Sequence, residues 1–75
     1  MTRYGNQGGD SGISAYEIQE DGIIVQFSTG VKYLYTNSSA GVANIEKMKE
    51  LAVRGEGLNS FIMKNVKTAY ASKLS

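Results

Sequence analysis

A chain of 75 residues is too short for two hydrophobic cores, so its length predicts one small domain. The apolar fraction of 41% with 20% charged residues is typical of a folded protein, and the absence of cysteine excludes disulfides and thiolate metal sites. A net charge of +1 gives no electrostatic argument for nucleic acid or an anionic membrane, and the lack of a signal-like or long apolar segment predicts a cytoplasmic protein.

The first twelve residues are predicted to be a flexible, glycine-rich tail. Between Gly5 and Gly12 the chain has four glycines and no apolar side chain. Burial therefore cannot offset the conformational entropy that is lost when such a segment becomes ordered. Arg3 and Tyr4 are assigned to the same tail, and the folded domain is expected to span residues 13–72.

Apolar residues that alternate with polar ones from Ile13 to Tyr35 predict a three-stranded antiparallel meander. The first turn is predicted at Asp21–Gly22, because Asp-Gly is a strong signal for a two-residue hairpin turn. A turn at that position would place Ile18 opposite Val25.

The second turn is predicted at Ser28–Gly30, with the glycine at positive φ. A three-residue turn there places Val25 opposite Tyr33 and keeps the apolar side chains of both strands on one face. Ile24 and Leu34 then lie opposite each other on the polar face. The residues predicted to pack against a second layer are Tyr16, Ile18, Ile23, Val25, Phe27, Val31, Tyr33 and Tyr35.

Two helical segments are predicted after the sheet. The first has apolar residues at helical spacing from Val42 to Ala52 and ends at Gly55. The second opens after Gly57, and its apolar stripe contains Leu58, Phe61, Ile62, Asn65, Val66, Ala69 and Tyr70. The predicted fold class is therefore α+β, with a three-stranded antiparallel β-meander and two C-terminal helices packed on one face, in the order β-β-β-α-α.

Four short segments have the order and spacing of a known family. They are Ser11–Ile13, Phe27–Gly30, the strand segment Tyr33–Tyr35 with its Tyr-x-Tyr pattern, and Gly57–Ile62. Over about Ile13 to Tyr70 the chain resembles the KTSC domain family, small domains found alone in bacterial proteins and at the C-terminus of some lysyl-tRNA synthetases. The resemblance implies a non-catalytic bacterial domain, and RNA binding is the role suggested for the family. Ser60 and Phe61 stand where typical members have a basic residue, which weakens the transfer of that role.

The types of residue present argue against catalysis. The chain has no histidine and no cysteine, which are the most frequent proton-transfer and nucleophilic groups. Glu20 and Asp21 flank a predicted turn, whereas Glu46 and Glu50 lie one turn apart on a helix, so neither pair is set in a cleft. No acidic cluster has the spacing of a calcium loop. The sequence therefore predicts no enzyme, no metal site and no small-molecule cofactor.

Seven residues are candidates for binding: Tyr33, Tyr35, Arg54, Asn59, Lys64, Lys67 and Tyr70. The strand tyrosines could stack on bases or on a partner's side chain, but the predicted register turns both rings toward the helices and favours a structural role. The cations belong to residues 42–75, which carry a net charge of +3, against −2 for residues 1–41. With Asn59 at the start of the second helix they could bind phosphate groups, although a solvated helix face is the simpler interpretation.

Two functions stay open from the sequence. The protein could bind RNA or another polyanion through the basic candidates, Asn59 and Tyr70. Alternatively, it could bind a protein partner through Ile24 and Leu34, or through an exposed edge of the sheet. The net charge of +1 favours the second, so the sequence predicts a small protein-interaction module with an unidentified partner.

Overall fold

The computed structural model describes residues 1–5 and 12–74. They form one antiparallel sheet, in the order β1-β2-β3-β4-β5, whose strands are β1 Thr2–Arg3, β2 Ile13–Gln19, β3 Gly22–Phe27, β4 Lys32–Thr36 and β5 Ser72–Lys73. The helices are α1 Asn37–Ala40, α2 Val42–Arg54 and α3 Leu58–Phe61, and α3 continues as a π-helical turn over Ile62–Val66. The predicted α+β class, with an antiparallel sheet followed by helices, is confirmed. The two outer strands were not predicted.

The turn between β2 and β3 differs from the predicted one. Ile18 pairs with Ile23, so the two loop residues are Glu20–Asp21 instead of Asp21–Gly22. The prediction that Ile18 pairs with Val25 is therefore wrong by two residues. Because side chains alternate with a period of two, this shift leaves every side chain on the face predicted for it.

The close approach of β4 explains why residue 22 is glycine. Gly22 pairs with Thr36, and a Cβ atom at this position would overlap the backbone oxygen of Tyr35. Gly22 is not one of the glycines with positive φ. The Asp-Gly sequence thus locates the hairpin, but its glycine is required by a neighbouring strand instead of by the turn conformation.

The second turn agrees with the prediction. At Ser28–Gly30 the glycine has a φ of 96°. The backbone N–H of Phe27 donates to the carbonyl of Val31 at 2.8 Å. Ile24 pairs with Leu34, and both side chains are half-buried. The predicted register between β3 and β4 is confirmed.

The hydrophobic core lies between one face of the sheet and the helices. Its buried members are Tyr4, Ile13, Tyr16, Ile23, Val25, Tyr35, Ile45, Met48, Leu51, Ala52, Leu58, Ile62 and Val66. Phe27, Val31 and Tyr33, also predicted to face this layer, are half-buried. Ile18 is 44% exposed, so its predicted burial is wrong. The pairing of β1 with β2 ends at Tyr16, which leaves Ile18 at the margin of the sheet.

The N-terminal residues belong to the fold. Thr2–Arg3 pair with β2, and Tyr4 is only 3% exposed. The Tyr4 hydroxyl accepts a hydrogen bond from the backbone N–H of Leu58 at 3.2 Å. The prediction that Arg3 and Tyr4 lie in a flexible tail is wrong, because burial of the Tyr4 ring offsets the entropy of ordering this segment. The predicted tail residues 6–11 lie outside the described part of the chain.

Thr36 caps the short helix α1 and not the long helix α2. Its hydroxyl accepts from the N–H of Ser39, and its own N–H donates to the Ser39 hydroxyl, which forms a capping box. Helix α2 follows after Gly41 and ends, as predicted, at Gly55, whose φ is 77°. Among the helices described, none has the length and apolar character needed to cross a bilayer.

The last helical segment is shorter than its apolar stripe predicts. The π-helical turn ends at Val66, and Tyr70 lies outside the helix. The backbone N–H of Ala71 then donates to the carbonyl of Leu34 at 2.6 Å, and Ser72–Lys73 continue beside β4. The helical prediction fails beyond Val66 because the free edge of β4 supplies hydrogen bonds to the chain there.

Candidate functional site

Four aromatic rings form a cluster on the core face at β4. The rings of Tyr33 and Tyr70 have centroids 4.4 Å apart and a tilt of 40°. Tyr35 meets the Tyr70 ring edge-on at 6.3 Å, and Phe27 meets Tyr33 in the same way at 5.8 Å. These are the offset and edge-to-face arrangements that aromatic quadrupoles favour. The cluster therefore holds Tyr70 in place although it lies between secondary-structure elements.

The three tyrosines of this cluster differ in their access to a ligand. Tyr35 is 1% exposed and belongs to the core, whereas Tyr70 is 38% exposed. Tyr33 is half-buried, with its ring against that of Tyr70. Of the three candidate tyrosines, Tyr70 is thus the most exposed.

The burial of Tyr35 has a measurable consequence at alkaline pH. Burial raises the pKa of the Tyr35 hydroxyl from its ordinary 10.0 to about 12, and ionised Tyr33 and Tyr70 act in the same direction. Since the folded pKa lies above the unfolded one, the contribution to stability is complete below pH 10 and is lost as the pH rises to 12. We expect a tyrosinate absorbance step near pH 12 in the folded protein. The Tyr35→Phe variant should lack this step and lose less stability over the same range, and equal losses in both proteins would contradict the assignment.

The cations of α2 are neutralised by acids on and beside the same helix. The ion pairs are Lys47 to Glu50 at 3.5 Å, Lys49 to Glu46 at 3.8 Å, and Arg54 to Glu50 at 3.7 Å and to Glu56 at 3.1 Å. Exposed pairs of this kind contribute little to stability, but each cancels much of the local field of its cation. Arg54 is therefore less suited to bind an anionic ligand than the sequence indicated.

The cations of the C-terminal segment have no such partners. Residues 57–75 contain Lys64, Lys67 and Lys73 and no acid. All three lysines are exposed, and none makes an ion pair within residues 1–5 and 12–74. The positive charge of the helical half is therefore concentrated in this last segment.

Strand pairing brings the last lysine to the aromatic cluster. Lys73 pairs with Tyr33 across β5 and β4, so the two side chains lie on one face of the sheet. The Tyr33 ring in turn contacts Tyr70. We call the exposed residues Lys64, Lys67, Tyr70 and Lys73 the basic-aromatic surface, because all four lie in the segment after Glu56 that has no acids. Lys73 is absent from the sequence-based candidates, although the lack of acids after Glu56 is visible in the sequence.

Asn59 does not join this surface. It is half-buried near the start of α3, eight residues before Lys67 and at the other end of the helical segment. The proposed attraction of anions to this helix start is also weakened, because the N–H of Leu58 already donates to the Tyr4 hydroxyl. The structure therefore places Asn59 at the opposite end of this helical segment from Lys67, one of the lysines with which the sequence grouped it.

Within the described residues, no group of three or more acidic, histidine or cysteine side chains is placed to hold a metal ion. Comparison of the chain with family models, with curated proteins and with solved structures gives no match. The resemblance to the KTSC domain family, and the functions that it implies, therefore stay predictions.

Proposed function

We propose that this chain is a KTSC-like, non-catalytic binding module that binds polyanions through the three lysines of the basic-aromatic surface. The observation that supports this function is that, within the described residues, the paired cations of α2 and the unpaired lysines of the C-terminal segment lie in different parts of the chain. The cations of helix α2 pair with acids on and beside that helix, whereas the three lysines after Glu56 have no acidic partner among the described residues. A chain of phosphates would meet positive charge there without competition from neighbouring carboxylates.

The charge separation changes the balance between the two functions that are open from the sequence. A net charge of +1 favours a protein partner, but this total hides a local excess of three positive charges. Ile24 and Leu34, the proposed protein contact, are both half-buried and form a patch of only two residues. Patches that mark protein interfaces are usually larger. Protein binding through this face therefore has weaker support than polyanion binding by the lysines.

The proposed function is tested with labelled RNA and labelled inorganic polyphosphate, whose binding is followed by fluorescence anisotropy over a range of salt concentrations. Contacts to three phosphates predict a plot of log affinity against log salt with a slope of about −2 for a single strand. Lys67→Gln should weaken binding and reduce the steepness by about 0.7. The triple change of Lys64, Lys67 and Lys73 to Gln should abolish measurable binding.

Lys47→Gln is the matched control. It removes the same charge from the chain, but from an exposed lysine paired with Glu50. We expect it to leave affinity and salt dependence nearly unchanged. Equal effects of Lys47→Gln and Lys67→Gln would mean that only the total charge matters. That result, or the absence of binding to either polyanion at low salt, would overturn the proposed function.

A further inference from the structure

The partly exposed aromatic residue Tyr70 is a feature that a simple polyanion site does not need. Tyr70 lies outside the helices and strands, yet its ring contacts Tyr33 at 4.4 Å and meets Tyr35 edge-on. It keeps 38% of its surface exposed. A ring that is already fixed loses little conformational freedom when a ligand stacks on it, so the position is preorganised for a planar partner.

The lysines flank this ring on both sides along the chain. Lys67 lies three residues before Tyr70, and Lys73 lies three residues after it. Lys73 is also beside Tyr70 in space, because it pairs with Tyr33 and the Tyr33 ring contacts that of Tyr70. A nucleotide chain carries a phosphate on either side of each base, so cations before and after an aromatic residue along the chain are suited to it.

We infer that the basic-aromatic surface binds single-stranded nucleic acid, with one base stacked on Tyr70 and neighbouring phosphates at Lys67 and Lys73, an inference that rests on the proposed function. A duplex keeps its bases stacked on each other, so it could use the lysines but not the ring. Inorganic polyphosphate has no base. Both are therefore expected to bind more weakly than an unpaired strand.

An anionic lipid surface is the competing ligand for this part of the chain. Met63 and Leu74 are also exposed, at 45% and 46%, and lysines beside apolar residues suit a lipid headgroup layer. The ring of Tyr70, however, is fixed against Tyr33 instead of pointing freely outward. A fixed ring favours stacking with a planar base over insertion among lipid headgroups.

The test compares Tyr70→Leu and Tyr70→Phe with the unchanged protein. The ligands are a short single-stranded oligonucleotide, the same sequence as a duplex, inorganic polyphosphate, and vesicles that contain an anionic lipid. Tyr70→Leu should weaken single-strand binding about tenfold, the order expected for one base stacked on an aromatic ring. It should leave polyphosphate affinity and the salt slope unchanged, and Tyr70→Phe should bind like the unchanged protein. Circular dichroism checks that both variants are folded.

A direct readout is available because the chain has no tryptophan. Tyrosine fluorescence should fall when the single strand binds, and this change should be smaller in Tyr70→Leu. If Tyr70→Leu affects the single strand and polyphosphate equally, or neither, base stacking is wrong while polyanion binding survives. Preferential binding to the vesicles also overturns the inference. If no polyanion binds, the proposed function fails, and this inference fails with it.

Discussion

Replacement of Gly22 by alanine is expected to remove most of the stability of the domain. The added Cβ would overlap the backbone oxygen of Tyr35, and the Cα of Thr36 lies within 3.1 Å of the same point. Backbone atoms of a central strand cannot move aside as the end of a flexible side chain can. Overpacking of this kind costs about 1–3 kcal/mol and occasionally more. A single core in a domain of this size supplies only about 3–5 kcal/mol, so urea denaturation should show a large fall in the midpoint.

Gly12→Ala is the control for this change. A Cβ atom on Gly12 would lie 4.0 Å from the Ser28 hydroxyl, which is ordinary van der Waals contact. Both variants reduce the backbone freedom of the unfolded chain in the same way, so their difference isolates the contact in the folded state. Similar urea midpoints for the two variants would show that β4 does not approach Gly22 as closely as described.

The position of Gly22 also shows what sequence patterns can and cannot predict. The Asp-Gly pair locates the hairpin, and side-chain alternation fixes which residues face the core, so the faces are predicted although the pairing is shifted by two residues. The Ser28–Gly30 turn is predicted fully, because only one turn length keeps the apolar residues of β3 and β4 together. Patterns that repeat over several residues are therefore predicted well.

The outer strands carry no such pattern. Thr2–Arg3 and Ser72–Lys73 have two residues each, which is too short for alternation to be detected. Both strands form because a neighbouring strand offers unpaired backbone groups, and this is a property of the folded sheet instead of the local sequence. The exposure of Ile18 has the same origin, since it depends on where β1 stops.

Only part of the candidate site could be predicted, because the rest of it also depends on long-range strand and ion pairing. Sequence composition indicates a basic C-terminal half, but it does not show that Arg54 pairs with Glu50 and Glu56. Composition also does not show that Lys73 lies beside Tyr33, because that pairing requires the unpredicted strand β5. The helical stripe placed Tyr70 in the second helix, but Tyr70 lies outside it, next to the same strand. Long-range pairing therefore decides which charges remain available.

Tyr4→Ala is expected to destabilise the protein severely, although the local sequence predicts a dispensable tail. The ring is 3% exposed and belongs to the core cluster, and its hydroxyl accepts from the N–H of Leu58 at 3.2 Å. Truncation of a buried aromatic residue to alanine costs about 3–5 kcal/mol, which is comparable to the total stability of a domain this small. Tyr4→Phe keeps the ring and should cost about 1–3 kcal/mol, because the buried N–H of Leu58 loses its acceptor.

Arg3→Ala provides the comparison within the same segment. Arg3 is exposed in β1, so its replacement should change the free energy of unfolding by no more than about 0.5 kcal/mol. The expected order of urea midpoints is therefore unchanged protein and Arg3→Ala highest, Tyr4→Phe lower and Tyr4→Ala lowest. If all three variants unfold at the same urea concentration as the unchanged protein, the N-terminal segment does not contribute to the core.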